Sequence, residues 1–171
     1  MNRTALAAAV IVAAMPAVAA GQTPWDLGKK TVGGAAVGQL EKQINKRLLE
    51  ESRKNQCSFK SDSDELMKGC DPKAKRLANA IVDAKGRLEK AGVRSFKFEV
   101  SGHTDSSGSP EHNKELSKRR AEKMRKELAA KGIPQEDIVT VGMGSERPVV
   151  KPDDTPAKKA KNRRYEVQLR L

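Results

Sequence analysis

The sequence predicts an α+β protein, a two-layer sandwich in which one half-buried sheet is backed by two long helices. Two stretches carry the prediction for the sheet. In VRSFKFEVSG, Phe96, Phe98 and Val100 point one way while Lys97, Glu99 and Ser101 point the other, and in RRYEVQLRL, Tyr165, Val167, Leu169 and Leu171 share a face. Strict period-two alternation is the pattern of a strand with one buried face. Two further segments repeat apolar residues at helical spacing. The resulting order, β-α-β-α-β-β, lets one apolar sheet face bury against the helices.

The stretch 1–19 stands apart. MNRTALAAAVIVAAMPAVAA combines Arg3, an apolar run and Ala17-Val18-Ala19, which is the pattern of a cleavable export signal. The run is short, rich in Ala and broken by Pro16, unlike a membrane anchor. No Cys follows the expected cleavage point, as a lipid-anchored protein would need. No later segment approaches the roughly 20 apolar residues that span a bilayer. The expected location is therefore the periplasm, with association to the outer membrane left open. Residues 20–56 read as a flexible Gly-rich lead-in, to about residue 38, and then an amphipathic helix. In LEKQINKRLLEESRKN, Leu40, Ile44 and Leu48 form a narrow apolar stripe. It fits packing on the protein's own domain or a coiled-coil contact with a partner.

Residues 57–171 form the expected main domain. CSFKSDSDELMKGC is irregular, with a short strand expected around Ser58 to Lys60. In the helix that follows, Asp71 is expected to cap and Pro72 suits the first turn. Ala74, Leu77, Ala78, Ile81, Val82 and Leu88 fill its inner face, and Gly92 ends it. After the central strand, a turn leads to a helix bracketed by Ser109-Pro110 and Gly132-Ile133-Pro134. DIVTVGM is a short strand and GSERPVVKPDDTPAKKAKN a polar connection. The last strand lacks proline and is placed inside the sheet.

The chain has 171 residues, a net charge of +12 and two cysteines. Such a surface favours anionic partners. Nucleic acid is disfavoured by export and by the scarcity of rings for base stacking, with one Trp, one Tyr and three Phe. Cys57 and Cys70 are expected to form a disulfide in an oxidising compartment. It would close a loop of about 14 residues, worth on the order of 3 kcal/mol in the chain-entropy model. A zinc site from Cys57, Cys70, His103 and His112 matches no common ligand spacing, and no metal or other cofactor is expected.

The helix after the central strand carries polar residues where its apolar stripe should run. Leu116, Met124 and Leu128 mark the stripe, and at about 100° per residue Asn113 and Arg120 fall on it, with Ser117 nearby. Arg163 shares parity with Tyr165 and Val167 and so faces the helices. The turn adds Thr104 and Asp105. Burying a guanidinium without partners would cost several kcal/mol. Either Asp105 and Arg120 neutralise each other and pin the turn, or the group faces a pocket that suits a zwitterionic ligand.

At this point three segments, GHTDSSGSPEHNKELSKRRA, GMGSERP and AKNRRYEVQLRL, resemble the C-terminal, peptidoglycan-binding OmpA-like domain of Gram-negative envelope proteins. The resemblance covers roughly residues 57–171. It implies non-covalent binding to the diaminopimelate residue of the peptidoglycan stem peptide. Carried over by position, Asp105 and Arg120 hold the amine-and-carboxylate end of that residue, and Asn113 lines the site. Asn162 and Arg163 match the last motif, Thr104 sits beside the aspartate, and Asp62 lies where the family's first loop reaches the ligand. Where the family has a strand of type F-x-F-D, this chain has CSFKSDSDEL.

Three function classes follow. A binding module would link peptidoglycan to the outer membrane or another envelope partner. A basic adaptor would instead meet anionic lipid or an outer-membrane protein through the N-terminal helix and the Lys-rich 151–161 segment, leaving the Asp-Arg site structural. An enzyme would need Ser101, His103 and Asp105 to converge as a triad, and three alternating residues of one short segment do not converge easily. No catalytic residue is expected.

Overall fold

The computed structural model describes residues 34–60 and 62–171, so the export signal and most of the lead-in lie outside the described residues. The order is α1 (Gly34–Lys54), α2 (Asp71–Lys90), β1 (Lys97–His103), α3 (Pro110–Ala130), a 3-10 turn (Gln135–Asp137), β2 (Ile138–Gly142), α4 (Pro156–Asn162) and β3 (Arg164–Arg170). The sheet runs β2-β1-β3, with β1 parallel to β2 and antiparallel to β3. The expected α+β class is what the chain adopts. Phe98, Val100 and Gly102 of β1 stand opposite Leu169, Val167 and Tyr165 of β3, so one face is continuously apolar. That face meets Ile44 and Leu48 of α1, Leu77, Ile81 and Leu88 of α2, and Met124 and Leu128 of α3 in a single core.

Several local expectations change. The helix α1 already includes Gly34–Gly38, because Val37 is buried and extends the stripe by a turn. Its stripe packs inside the domain, which removes the coiled-coil reading. Helix α2 starts at Asp71 rather than being capped by it: Cys70 holds the capping position and its carbonyl accepts the Ala74 N–H. Val82 is 56% exposed, about 80° around the helix from Ala74, and Ala84 takes the inner position instead. The polar connection contains α4. Serine 109 caps α3 as expected, its hydroxyl accepting the His112 N–H.

The largest change concerns the edge of the sheet. The expected strand at Ser58–Lys60 is only an isolated bridge between Phe59 and Leu66, and β3, expected inside the sheet, pairs with β1 alone. Its other edge is covered by α1, whose side chains stand in for a neighbouring strand. Asn45 accepts the Leu169 N–H at 2.6 Å and donates to its carbonyl at 3.2 Å. The Ser52 hydroxyl accepts the Val167 N–H at 3.0 Å. Gln56 accepts the Tyr165 N–H at 3.1 Å and donates to its carbonyl at 2.7 Å. Asn45 and Ser52 share one face of α1, Gln56 follows two residues past its end, and 165, 167 and 169 share one strand edge. An open edge is a template for aggregation, and here helical side chains close it. The helix is thus a part of the domain rather than an appendage.

Ser52→Ala should leave the buried Val167 N–H without an acceptor. We expect a loss of about 1–3 kcal/mol, seen as a lower denaturation midpoint at unchanged slope.

Candidate functional site

The close approach of α3 to the end of β1 builds the site. Gly102 and Gly142 make that approach: a Cβ on Gly102 would overlap the Ser117 carbonyl, and one on Gly142 would overlap the Lys114 carbonyl. The Ser117 hydroxyl accepts the Gly144 N–H at 2.9 Å, and Gly144 in turn accepts the Thr104 N–H. The start of α3 is therefore locked against the turn that carries Thr104 and Asp105.

Beside this junction lies a cleft of about 1090 Å³. Of the residues expected from the sequence, Asp62, Thr104, Asp105, Asn113, Arg120 and Arg163 line it. Asn162 does not. It is fully buried, with its Oδ1 accepting the Val149 and Val150 N–H groups and its Nδ2 donating to the Val150 carbonyl and to Asp153. All its polar capacity is spent on the protein, which corrects the expectation that it touches ligand.

Asp105 and Arg120 do not neutralise each other. Asp105 is bridged by Arg163, at 2.8 Å, and its other oxygen accepts the Ser107 N–H at 3.0 Å. Burial pushes the Asp105 carboxyl up, but these hydrogen bonds together outweigh it and hold the group below its usual range. Arg163 keeps a 44% exposed side chain. Arg120 is only 7% exposed. Its Nε donates to the Ser63 carbonyl at 2.9 Å, its Nη2 to the Lys60 carbonyl at 3.3 Å, and its guanidinium carbon lies 5.1 Å from the Phe59 ring centre. Burial first, and then the nearby charge of Arg163, lower its proton affinity. Its Nη1 makes no hydrogen bond among the described residues.

The first loop is thus the wall on which Arg120 rests. The expected disulfide is present: Cys57 and Cys70 close this loop with their Cα atoms 4.9 Å apart, which removes the thiolates a zinc site would need. Asp62, at φ 50°, reaches across to His112 Nε2 at 2.6 Å. Asn113 donates to the Ser107 carbonyl at 2.8 Å. Thr104 lines the cleft, and its Oγ1 is buried without a hydrogen-bond partner.

Sequence reasoning missed Asp153. It accepts the Ser106 N–H at 2.9 Å, takes the Ser106 hydroxyl as well, and bonds Asn162. These hydrogen bonds, led by the Ser106 hydroxyl, hold its carboxyl down at about 2. The Ser106–Asp153–Asn162 chain fastens the Asp105 turn to the segment that delivers Arg163. Only the run of carboxylates in KPDDTP hinted at it.

The triad does not form. Ser101 Oγ and His103 Nε2 are 3.3 Å apart, but Asp105 is turned to Arg163. The inner Nδ1 of His103 has no partner, and neither Ser101 nor His103 lines the cleft.

The sequence profile of the OmpA family matches residues 58–163. The chain belongs to the OmpA family. Outer membrane porin F of Pseudomonas fluorescens is 42% identical over 92 residues, which cover 53% of this chain and 28% of the porin. The peptidoglycan-associated lipoprotein of Pasteurella multocida is 43% identical over 84 residues, 49% of this chain and 55% of the lipoprotein. The chain thus spans about half or less of the length of these OmpA-family relatives. Among solved structures, the peptidoglycan-associated lipoprotein from Burkholderia pseudomallei has a TM-score of 0.55 at 23% identity, covering 67% of this chain and 89% of that one. That likeness shows the OmpA-like fold.

Two outcomes follow. Gly102→Ala should cost about 1–3 kcal/mol, because α3 must shift to admit a Cβ, measured by denaturant unfolding. Burial, reinforced by Arg164 and Arg147 and opposed by Glu166, lowers His103 from 6.5 to about 4. The unfolded chain therefore takes up this proton first. Stability should fall as pH drops from 6.5 towards about 4 and then level off, and His103→Gln should flatten that part of the profile.

Proposed function

We propose that the protein binds peptidoglycan non-covalently through the diaminopimelate residue of its stem peptide. The free end of that residue carries an ammonium and a carboxylate on one carbon. Asp105 keeps acceptor lone pairs for the ammonium after bonding Arg163 and Ser107. Arg163 and the uncommitted end of Arg120 supply donors for the carboxylate, where planar guanidinium groups match its two oxygens. The observation that carries this reading is the meeting of Asp105, Arg163 and Arg120 in one cleft. Membership of the OmpA family and relatives named as peptidoglycan-associated support it.

The role is binding rather than catalysis, since Asp105 is committed to Arg163 and Ser107 and no polar group among the described cleft residues is paired as nucleophile and base. The protein would act in the periplasm, linking the wall to the outer membrane or to another envelope partner. The polar face of α1, with Lys42, Lys46 and Arg47 exposed, is what remains to meet an outer-membrane protein or anionic lipid, because its apolar stripe is buried.

Titration of a diaminopimelate-containing muropeptide tests the reading. Asp105→Ala should weaken binding by about tenfold or more, the scale of one charge-assisted hydrogen bond of about 1.5–3 kcal/mol. Equal affinity of wild type and variant would overturn it.

A further inference from the structure

The cleft holds more positive charge than its own acids answer. Arg163 is paired with Asp105, but three other cations that line the cleft, Arg120, Lys159 and Lys161, form no ion pair among the described residues. The two lysines belong to α4. Lys159 Nζ donates to the Ser107 hydroxyl at 2.8 Å, and the Ser107 N–H donates to Asp105 Oδ1 at 3.0 Å. Two hydrogen bonds thus connect the α4 rim to the carboxylate at the centre of the site. A ligand offering one ammonium and one carboxylate would answer Asp105 and the guanidinium groups. It would leave both rim lysines with only a neutral partner or none.

Resting on the reading above, we propose that Lys159 and Lys161 form a second acid-binding subsite, which takes a further carboxylate of the same stem peptide. Where the stem continues to D-alanine, diaminopimelate's second carboxylate is spent in that peptide bond, and the nearest free acid is the α-carboxylate of the D-glutamate that is linked to it through its γ-carboxyl. Amidation of that group removes its charge and keeps its shape. The α4 rim therefore makes the protein a reader of stem-peptide amidation, favouring the free acid. The segment is suited to this because it is held from behind: Thr155 caps α4 by accepting the Lys158 N–H, and Asn162 and Asp153 tie its end to the Asp105 turn. Lys159 is held at the cleft by its bond to the Ser107 hydroxyl, and Lys161 lines the cleft next to the buried Asn162, so little chain ordering accompanies binding.

Calorimetric titration of the full chain with L-Ala–γ-D-Glu–meso-diaminopimelyl–D-Ala, and with the same peptide carrying D-isoglutamine, decides it. Wild type should bind the free acid about three- to tenfold more tightly, the scale of one or two partly exposed ion pairs, and added salt should shrink the preference. Lys159→Ala/Lys161→Ala should lose the preference and bind the two peptides alike. Equal binding of both peptides by wild type, or a preference that survives in the double variant, would overturn the subsite and leave the diaminopimelate reading standing. Failure of wild type to bind either peptide would overturn both.

Discussion

A buried guanidinium that meets no carboxylate organises this domain. Arg120 sits on the inner face of α3, almost wholly removed from water, and its charge is answered by the carbonyl oxygens of Lys60 and Ser63 and by the face of Phe59. Backbone carbonyls solvate a cation only when the loop that bears them is held at the right distance. The disulfide between Cys57 and Cys70 supplies that constraint. A short strand in this segment would have committed those carbonyls to a sheet, whereas the irregular loop leaves them for the arginine.

The rest of the site is assembled from the opposite end. Gly102 and Gly142 admit α3 close to the sheet, which brings Asn113 and Arg120 beside the Thr104-Asp105 turn. Asp153 and Asn162 fasten that turn to the segment before β3, and Arg163 emerges there to meet Asp105. Helix α1 closes the far edge of β3 with Asn45 and Ser52, and Gln56, two residues past its end, completes the cover. Arg53 and Gln56, at its end, line the cleft, so edge protection and cleft wall come from one element.

The alternation in VRSFKFEVSG and RRYEVQLRL made the strands legible, because period-two burial leaves a direct mark on composition. The polar residues on the inner stripe of α3 made Asn113 and Arg120 legible, since a charge among apolar neighbours demands a local reason. Asp105 and Thr104 followed from their place in the turn and from family resemblance. What could not be read was which cation would face Asp105. Periodicity gives direction within one element but not the distance between two, and Arg163 rather than Arg120 closes that gap. Asn162 was misassigned for a related reason. Its motif position is beside the site, but its amide is consumed by a loop whose path composition does not encode. The side-chain cover on β3 was equally hidden, because Asn45 and Ser52 look like ordinary solvated helix positions and Gln56 like the start of a loop.

The central claim is that the planar fork of Arg120, pinned on one side by loop carbonyls, presents its remaining donors to an acid group of the cell wall. Arg120→Lys keeps the charge and removes the fork, so its co-sedimentation with purified peptidoglycan sacculi tests the claim most directly. The account predicts that this variant, folded and with its disulfide intact, stays largely in the supernatant under conditions that pellet the wild type. Sedimentation equal to wild type would contradict it.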